Sequence, residues 1–470
     1  MGDSRLASMR VYLKKKSWPL SFKLSALLGI FAVAYIANEI VQANGIPVIT
    51  AHALFLLIFA AGLWITEAIP PFAVSILVIG FSIYFLDDLH FQVISKDWQK
   101  YLSTWSSPII WILLGGFFLA IGAQITRLDR RLSRFILSRF GTKPDRILLG
   151  CMLTTGIFSM FMSNTATTAM MVAILAPLVQ KLDPKDAFVK VLFIGVAAAA
   201  TVGGMGTIIG SPPNAIAVGL LQNQGIDFGF TQWMMLGAPL ALGFIMLIWG
   251  LLKLYYKTDY QHLELELAHG EAPDEPRNTP GSRFIVVATF VITIGLWLSS
   301  PLHNIPVAVV SLLPIVAFSV TGVVGADDLK MLPWDTLILV AGGLTLGMVI
   351  SDAGLAEYLV AQIPVFQNVF VMLLILGWLT TLLSNIMSNT AAASVLIPVG
   401  ASLLPEQALL VSLVIGFSAS TALFLPISTP PNAIAFSTGF VRQSDFRYLG
   451  TIIGLSGPVF IILIIMFLIG

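Results

Sequence analysis

The sequence Ser-Asn-Thr occurs at 163–165 and again at 388–390, each time between two apolar half-segments. Ser, Asn and Thr are favoured at helix N-caps, because their side-chain oxygens accept hydrogen bonds from free backbone N–H groups. We therefore expect a helix to begin at each triplet. The N-terminus of such a helix carries a partial positive charge and free N–H donors, and both favour the binding of an anion.

A second doubled motif offers ligands of the opposite kind. Pro-Pro-Asn occurs at 212–214 and at 430–432. Proline ends one helix and is well suited to the first turn of the next, so we expect the backbone to unwind within 201–217 and within 420–435. Irregular backbone at membrane depth is tolerated only where it is buried or lines a cavity. Its freed carbonyl groups are hard oxygen ligands, and these suit a small cation such as sodium.

Basic side chains are missing from the sequence around these motifs. Lys, Arg and His do not occur in 147–180, 191–240 or 368–440. A multiply charged anion normally recruits Arg, and burying a dianion without a counter-charge would cost many kcal/mol. Bound cations must therefore supply most of the neutralisation, which predicts that anion binding is coupled to cation binding.

The composition places these motifs in a membrane protein. The chain has 470 residues, of which 57% are hydrophobic and 10% are charged, whereas soluble domains carry about 25% charged residues. This excludes a soluble enzyme. A net charge of +1 gives no reason to expect a nucleic-acid partner. The sequence offers neither a nucleophile with a base nor a metal-binding motif, so we expect no enzymatic activity.

Apolar stretches of about 20 residues mark membrane spans. We predict an all-α polytopic membrane protein with about eleven transmembrane helices and two re-entrant hairpins, at 147–180 and 368–404. With the N-terminus in the cytoplasm, this arrangement puts every Lys and Arg except Lys96 and Lys100 on the cytoplasmic side. The C-terminus then lies outside. The basic, amphipathic stretch 127–140 predicts a helix that lies in the membrane interface.

The doubled motifs divide the chain into two halves. MSNTA occurs at 162–166 and 387–391, and PPNAIA occurs at 212–217 and 430–435. Several matches in the same order indicate an internal repeat. In our prediction each half holds five spans and one hairpin, so the second half starts from the opposite face. This is an inverted-topology repeat, which is typical of secondary transporters.

We expect residues 1–49 to form a cytoplasmic N-terminus and the first transmembrane helix. The first repeat, with hairpin 147–180, covers 50–256, and the second repeat, with hairpin 368–404, covers 284–470. Between the repeats lies a cytoplasmic linker, 257–283, which is rich in Pro and acidic residues. The tips of the two hairpins are expected to meet near the bilayer midplane. The glycine-rich stretch 203–210 has no equal in the second half, so the halves are not strictly symmetric.

Together, the two Ser-Asn-Thr triplets, the two (Ser/Thr)-Pro-Pro-Asn motifs and the segment Thr-Glu-Ala-Ile-Pro at 66–70 resemble the divalent-anion/sodium symporter family. The similarity covers nearly the whole chain. It implies a homodimer in a bacterial inner membrane, in which each protomer has a scaffold domain and a mobile transport domain. The transport domain would carry the substrate across the bilayer by an elevator-type movement.

The resemblance also implies binding residues. One sodium site would contain Ser159, Ser163, Asn164 and Gly210. The second sodium site would contain Ser384, Ser388, Asn389 and Ser428. The substrate would contact both triplets and the residues before each helix that starts at a proline pair: Ser163, Asn164, Thr165, Ser388, Asn389 and Thr390, with Ser211, Pro212, Thr429 and Pro430 nearby.

The function we expect is uptake of a C4 dicarboxylate (succinate, fumarate or malate) by secondary active symport with at least two sodium ions. The alternatives are symport of citrate or sulfate, and sodium-independent exchange of dicarboxylates. A channel is a different class, but the closed tips of two opposed hairpins favour alternating access.

Overall fold

The computed structural model describes residues 19–86, 98–184, 186–256, 258, 260–263, 277, 279–362 and 368–469. All regular elements within these ranges are helices, which confirms the predicted all-α class. The physical reason is that lipid offers backbone groups no hydrogen-bond partners, so a helix must satisfy them internally. The first part of the predicted cytoplasmic N-terminus (1–18), Lys96 and most of the predicted linker (264–276) lie outside the described ranges.

The helices of the first half are α1 (Leu20–Ala43), α2 (Val48–Thr66), α3 (Pro71–Leu86), α4 (Pro108–Ile125), α5 (Leu128–Leu137), α6 (Pro144–Ser159), α7 (Asn164–Gln180), α8 (Ala187–Gly203), α9 (Pro212–Asn223) and α10 (Phe230–Tyr255). The helices of the second half are α11 (Pro280–Leu298), α12 (Leu312–Val320), α13 (Trp334–Asp352), α14 (Leu355–Gln362), α15 (Val369–Ile386), α16 (Asn389–Leu403), α17 (Ala408–Ser418), α18 (Pro430–Ser437) and α19 (Gln443–Ile469).

Nine helical stretches in the described ranges are long and apolar enough to cross a membrane. A tenth results if α16 and the stretch Pro405–Thr421, which meet at a bend of 119°, count as one span. Shorter apolar helices such as α3 and α7 fall below this length. The chain is a multi-pass membrane protein, and the predicted total of eleven spans stays a prediction.

Two helical hairpins contain the Ser-Asn-Thr triplets. Helices α6 and α7 form the first, and α15 and α16 form the second. The second arm of each hairpin begins at the asparagine of its triplet, as predicted. Ser163 Oγ accepts a hydrogen bond from the Ala166 N–H, and Ser388 Oγ accepts one from the Ala391 N–H, both at 3.2 Å. The two serines are therefore the N-caps of α7 and α16.

The stretches before the two proline pairs unwind at matching places. In the first half, α8 runs into a 3₁₀ turn, Gly204–Gly206, before α9 starts at Pro212. In the second half, α17 runs into a 3₁₀ turn, Ala419–Thr421, before α18 starts at Pro430. The second half therefore unwinds without a glycine-rich sequence, because the proline pair alone starts a new helix.

The short helices α9 and α18 interlock the two halves. Helix α9 packs against α16 and α17, which belong to the second half. Helix α18 packs against α7 and α8, which belong to the first half. Each hairpin is thus completed by a helix from the other repeat, and this exchange brings the doubled motifs into one region.

The predicted interfacial helix forms as α5. It buries Asp129, Ser133 and Leu137 against the body of the protein, while the side chains of Leu132 and Phe135 are 43% and 56% exposed. An exposed apolar face next to several arginines suits the boundary between lipid tails and headgroups.

Candidate functional site

The first triplet forms an oxygen-rich pocket with the end of α6. Ser159 is fully buried, and its hydroxyl donates to the Ala200 carbonyl at 2.7 Å. The Asn164 carboxamide is best placed with its NH₂ group towards the oxygens around it. It then donates to Ser159 Oγ at 2.6 Å and to the carbonyls of Ala200 and Gly210, both at 3.2 Å. The structure therefore brings together three of the four predicted residues of the first sodium site.

Ser163, which was also predicted for this site, lies at its edge, and the Ala200 carbonyl is an addition to the prediction. The Ser163 hydroxyl caps α7, and Ser163 is exposed on the protein surface. The Ala200 carbonyl, which the sequence did not indicate, faces both Ser159 and Asn164. A backbone carbonyl on α8 carries no sequence signal, because every residue type has one.

Asn214, from the Pro-Pro-Asn motif, holds the unwound segment beside this pocket. Its amide nitrogen donates to the carbonyls of Gly204 and Thr207 at 2.8 and 2.7 Å. The Thr207 hydroxyl donates to the Met160 carbonyl and accepts the Gly210 N–H at 3.1 Å. These contacts position the Gly210 carbonyl, so the asparagine of the motif has a positioning role that sequence reasoning missed.

Two glycines are required for this close approach. A Cβ at Gly204 would lie 2.7 Å from the Asn164 carboxamide. A Cβ at Gly210 would lie 2.6 Å from the Gly204 carbonyl oxygen and 3.0 Å from that of Met160. The glycine-rich sequence of the first half is therefore explained by backbone packing around the pocket.

Two buried side-chain oxygens at or near the second triplet have no hydrogen-bond partner among the described residues. Within the described residues, neither the Ser384 hydroxyl nor the Asn389 side-chain oxygen has a hydrogen-bond partner, although both atoms are buried. An unsatisfied buried polar group costs about 1–3 kcal/mol. A cation bound to such an oxygen would offset part of that cost, so the chemistry of both predicted residues fits a cation site. Ser388, which was also predicted for this site, is the N-cap of α16.

Ser428, the remaining predicted ligand of the second site, is held by a residue that the sequence did not indicate. Its hydroxyl donates to Asn385 Oδ1 at 2.8 Å and accepts the Leu425 N–H at 3.0 Å. Asn385 Oδ1 also accepts the Phe424 N–H at 3.0 Å, and its nitrogen donates to the Thr381 carbonyl at 2.8 Å. One lone pair of the Ser428 oxygen stays available for a cation.

Comparison of the two halves of the sequence could not indicate Asn385, because Met160 occupies the matching position of the first half. Asn432, by contrast, lies in the doubled motif and repeats the role of Asn214. Its amide nitrogen donates to the carbonyls of Leu423 and Leu425 at 3.3 and 3.0 Å. The unwound segment of the second half is thus held from the hairpin and from α18.

The predicted substrate residues differ in exposure between the halves. Ser163 and Thr165 at the first tip are exposed, whereas Thr390 at the second tip is only 9% exposed. The remaining predicted contacts lie at the starts of the interlocking helices: Ser211 and Pro212 at α9, and Thr429 and Pro430 at α18. Thr429 Oγ1 accepts the Asn432 N–H at 3.2 Å and lies 3.4 Å from the Thr201 hydroxyl of the first half.

Both pockets present neutral oxygens to a ligand. In the described part of the chain, no group of three or more His, Cys, Asp or Glu side chains could hold a metal ion. Hydroxyl, carboxamide and carbonyl oxygens are hard ligands that suit cations of the sodium type rather than zinc or copper. The helices α7 and α16 add their positive N-terminal ends, which suit an anion.

Comparisons with known proteins identify the family of this chain. A family model described as citrate transporter matches residues 61–414. The sodium-dependent dicarboxylate transporter SdcS of Staphylococcus saprophyticus is 28% identical over 507 residues, covering 100% of this chain and 96% of that protein. The protein of the same name from Staphylococcus aureus strain USA300 is 30% identical over 449 residues, covering 88% of this chain and 85% of that protein.

Two solved transporter structures share the fold. The chain aligns with MtrF of Neisseria gonorrhoeae at a TM-score of 0.53 and 10% identity, covering 86% of this chain and 96% of that one. It aligns with YdaH of Alcanivorax borkumensis at a TM-score of 0.53 and 14% identity, covering 85% of this chain and 99% of that one. The family model covers most of the chain and one relative reaches 30% identity over most of its length. Together with the doubled motifs, these matches show that the chain belongs to the divalent-anion/sodium symporter family.

Proposed function

We propose that this protein is a sodium-coupled symporter that carries a C4 dicarboxylate, such as succinate, fumarate or malate, into a bacterial cell. Relatives at about 30% identity are named sodium-dependent dicarboxylate transporters. The observation that carries the proposal is the pairing of two buried oxygen pockets with two helix N-termini, in a region without any basic side chain. Bound cations must therefore supply most of the charge that neutralises a dianion there.

The two asparagines of the triplets link the cations to the anion. A sodium ion in the first pocket attracts the carboxamide oxygen of Asn164, so the amide turns and its NH₂ group leaves the Ala200 and Gly210 carbonyls. That NH₂ group then becomes a donor for a substrate carboxylate. Asn389 already has its oxygen unpartnered and buried. Ion binding therefore prepares the site for the anion, and this is the physical basis of coupling in our proposal.

The substrate lies between the two hairpin tips in this proposal. The hydroxyls of Thr165 and Thr390 and the N–H groups at the starts of α7 and α16 bind one carboxylate each. At least two sodium ions balance the two negative charges. The interlocked halves then move together as the transport domain of an elevator, within a homodimer whose scaffold stays fixed in an inner membrane.

Citrate is the second candidate substrate, because the matching family model is described as citrate transporter. Hydroxyls and backbone N–H groups recognise carboxylates of either acid. Competition between the two acids for the same uptake therefore decides the order of preference.

The decisive experiment is uptake of radiolabelled succinate into proteoliposomes under an inward sodium gradient, with an inward potassium gradient as the control. We expect accumulation above equilibrium with sodium alone, and loss of that accumulation in Asn164→Ala and Asn389→Ala. Uptake that ignores sodium and requires internal dicarboxylate would replace symport by exchange. Inhibition by citrate at lower concentration than by unlabelled succinate would reassign the substrate.

A further inference from the structure

Helix α5 and the loop after it carry the excess positive charge of this protein. Residues 127–146 contain seven basic and two acidic residues, whereas the whole chain has a net charge of only +1. The rest of the chain is therefore net negative. The predicted topology requires basic residues on the cytoplasmic side, but it does not require them to be gathered in and beside one short helix.

The residues of α5 separate onto three sides of the helix. One side is buried against the protein and contains Asp129, Ser133 and Leu137. Because successive residues of a helix are rotated by about 100°, the remaining positions form two flanks. The apolar flank contains Leu128, Leu132 and Phe135, and the basic flank contains Arg130, Arg131 and Arg134. Helix α5 therefore presents an apolar flank and a basic flank side by side at the edge of the protein.

The buried side of α5 packs against both arms of the first hairpin. The Ser133 hydroxyl donates to Met170 Sδ on α7 at 3.9 Å. Phe140, just beyond α5, lies so close to α6 that a Cβ at Gly150 would be 2.6 Å from its ring. A ligand that binds the outer flanks of α5 therefore also holds the base of the hairpin that carries the first triplet.

The acidic side chains of this segment have partners within the protein. Asp129 is buried, and its Oδ1 accepts the Arg130 N–H at 2.7 Å. Asp145 Oδ2 lies 2.9 Å from Nζ of Lys253 on α10. Both carboxylates are thus engaged, and they leave the segment with an excess of positive charge.

Exposed cations border the apolar flank. Arg130, Arg139 and Lys143 are all exposed. The guanidinium carbon of Arg139 lies 4.6 Å from the centre of the Phe135 ring, and Phe135 is itself 56% exposed. Positive charge next to exposed apolar surface suits the zone where lipid headgroups meet acyl chains.

The second half shows that the repeat does not require these charges. Helix α14 follows α13 as α5 follows α4, and the Gly-Gly pairs at 115–116 and 342–343 match α4 with α13. Helix α14 contains no Lys or Arg, and it carries Glu357. A short helix at this place of the fold therefore forms without basic residues. In the predicted topology α14 lies at the outer surface and α5 at the cytoplasmic surface.

We propose that α5 is a docking surface for anionic phospholipids of the cytoplasmic leaflet. Their phosphate groups lie against the basic flank and against Arg139 and Lys143, and their acyl chains cover Leu132 and Phe135. Guanidinium groups match phosphate oxygens in a bidentate geometry, so the charges of the two partners are complementary. The bound lipid holds the base of the first hairpin at the membrane surface. This inference goes beyond the proposed function, because it does not depend on the anion that the protein carries.

The test measures lipid binding to Arg130→Gln/Arg139→Gln/Lys143→Gln. The purified full-length protein is titrated with phosphatidylglycerol in detergent, and the bound lipid is counted by native mass spectrometry, with phosphatidylcholine as the neutral reference. Each basic residue near an anionic membrane surface contributes about fivefold to the affinity. We therefore expect the triple variant to bind phosphatidylglycerol about 10-fold or more weakly than the wild type, and phosphatidylcholine equally. An unchanged affinity for phosphatidylglycerol would overturn the proposal.

The matched control is Lys330→Gln/Arg442→Gln/Arg447→Gln. It removes three exposed basic residues from other segments of the same predicted side, so the net charge changes equally. We expect this control to bind phosphatidylglycerol as the wild type does. Equal losses in the two triple variants would assign the binding to overall charge and overturn the proposal.

Thermal unfolding gives a second readout, because a ligand that binds the folded protein raises its Tm. We expect phosphatidylglycerol to raise the Tm of the wild type and of the control variant, and to leave that of the α5 variant unchanged. An equal rise in all three proteins would contradict docking at α5. Glycerol 3-phosphate, which has a phosphate but no acyl chains, should not displace the lipid at equal concentration. Displacement would assign the surface to soluble anions and overturn the proposal.

Should the α5 variant fail to fold, as judged by size-exclusion chromatography, a salt series on the wild type decides. The Debye length falls from about 10 Å at about 0.1 M salt to about 3 Å at about 1 M, so we expect the affinity for phosphatidylglycerol to fall across this range. An affinity that ignores salt would overturn the proposal. Failure of the proposed function gives a different pattern, in which succinate is not taken up but the lipid binds as described here.

Discussion

The two Ser-Asn-Thr triplets have the same sequence but opposite hydrogen-bonding states. In the first half, the Asn164 amide satisfies the Ser159 hydroxyl and the carbonyls of Ala200 and Gly210. In the second half, Ser384 and Asn389 keep buried oxygens that have no donor among the described residues. The oxygens around Asn164 are therefore satisfied by protein groups, although Asn214 Oδ1 beside them is also buried without a partner among the described residues. In our proposal, the identical motifs give sites that depend differently on the ion.

The largest expected effect tests this difference directly. Asn164→Ala and Asn389→Ala should both reduce sodium-dependent uptake by about 100-fold or more, because each removes a side chain that we place between cation and anion. Without sodium, however, Asn164→Ala should also lower the unfolding free energy by about 1–3 kcal/mol, since it removes the donor to the Gly210 carbonyl and to the buried Ser159 Oγ. Asn389→Ala should leave it nearly unchanged. Equal losses of thermal stability in sodium-free detergent would break the comparison.

The glycine packing of the first pocket gives the next effect. Gly210→Ala places a Cβ against the backbone oxygens of Gly204 and Met160, and backbone cannot move aside cheaply. We expect the sodium concentration for half-maximal uptake to rise about 10-fold or more. Gly250→Ala in α10 is the control, because nothing lies within 4 Å of its added Cβ. A normal sodium dependence in Gly210→Ala would show that this carbonyl does not bind the ion.

A change at Asn385 tests how the second pocket is held in place. Asn385→Ala removes the acceptor for the Ser428 hydroxyl and the Phe424 N–H. We expect about a 10-fold loss of apparent sodium affinity, and Asn385→Asp, which keeps an acceptor, should recover part of it. In a Ser428→Ala background the same change should add less than it does in the wild type, because the contact between the two residues is already lost. Full additivity of the two variants would contradict a positioning role.

The smallest effect on transport is expected at α5. Burial raises the pKa of Asp129 to about 6, although the N–H and the charge of Arg130 lower it in part. The folded protein therefore binds this proton more tightly than the unfolded chain does. The contribution of Asp129 to stability is present below about pH 4 and is lost as the pH rises towards 6.

Asp129→Asn should accordingly raise the unfolding free energy above pH 6 by at most about 3 kcal/mol, because one pKa unit corresponds to about 1.4 kcal/mol, and it should leave succinate uptake unchanged. The matching control is Glu357→Gln in α14, the short helix of the second half, where the side chain is exposed. Thermal unfolding of both variants between pH 4 and 8 checks this. Parallel pH profiles for Asp129→Asn and the wild type would contradict it.

The sequence predicted the features that depend on near neighbours. The start of α7 at Asn164 and of α16 at Asn389 follows from the N-cap preference of serine, and α9 and α18 start where the proline pairs require it. The amphipathic α5 followed from its spacing of apolar residues. These elements need contacts over only a few residues, so a single sequence reveals them.

Other parts of the site depend on contacts that a sequence does not display. Ser159 meets the Ala200 carbonyl across 41 positions, and Asn385 meets Ser428 across 43. Neither Ala200 nor Asn385 repeats between the halves, so self-comparison passes over both. The burial of Thr390 and the exposure of Thr165 likewise contradict the symmetry of their motifs.

By itself, the sequence determined that this protein lies in the membrane, that two of its motifs recur in the same order, and that its polar breaks carry helix N-termini and freed carbonyls without basic residues. Those properties follow from local chemistry and from apolar length. Only the tertiary structure decided which oxygens are satisfied and which are left open, because α9 and α18 cross between the halves and pack against hairpins that are remote in sequence. The difference between the two pockets is a property of that packing.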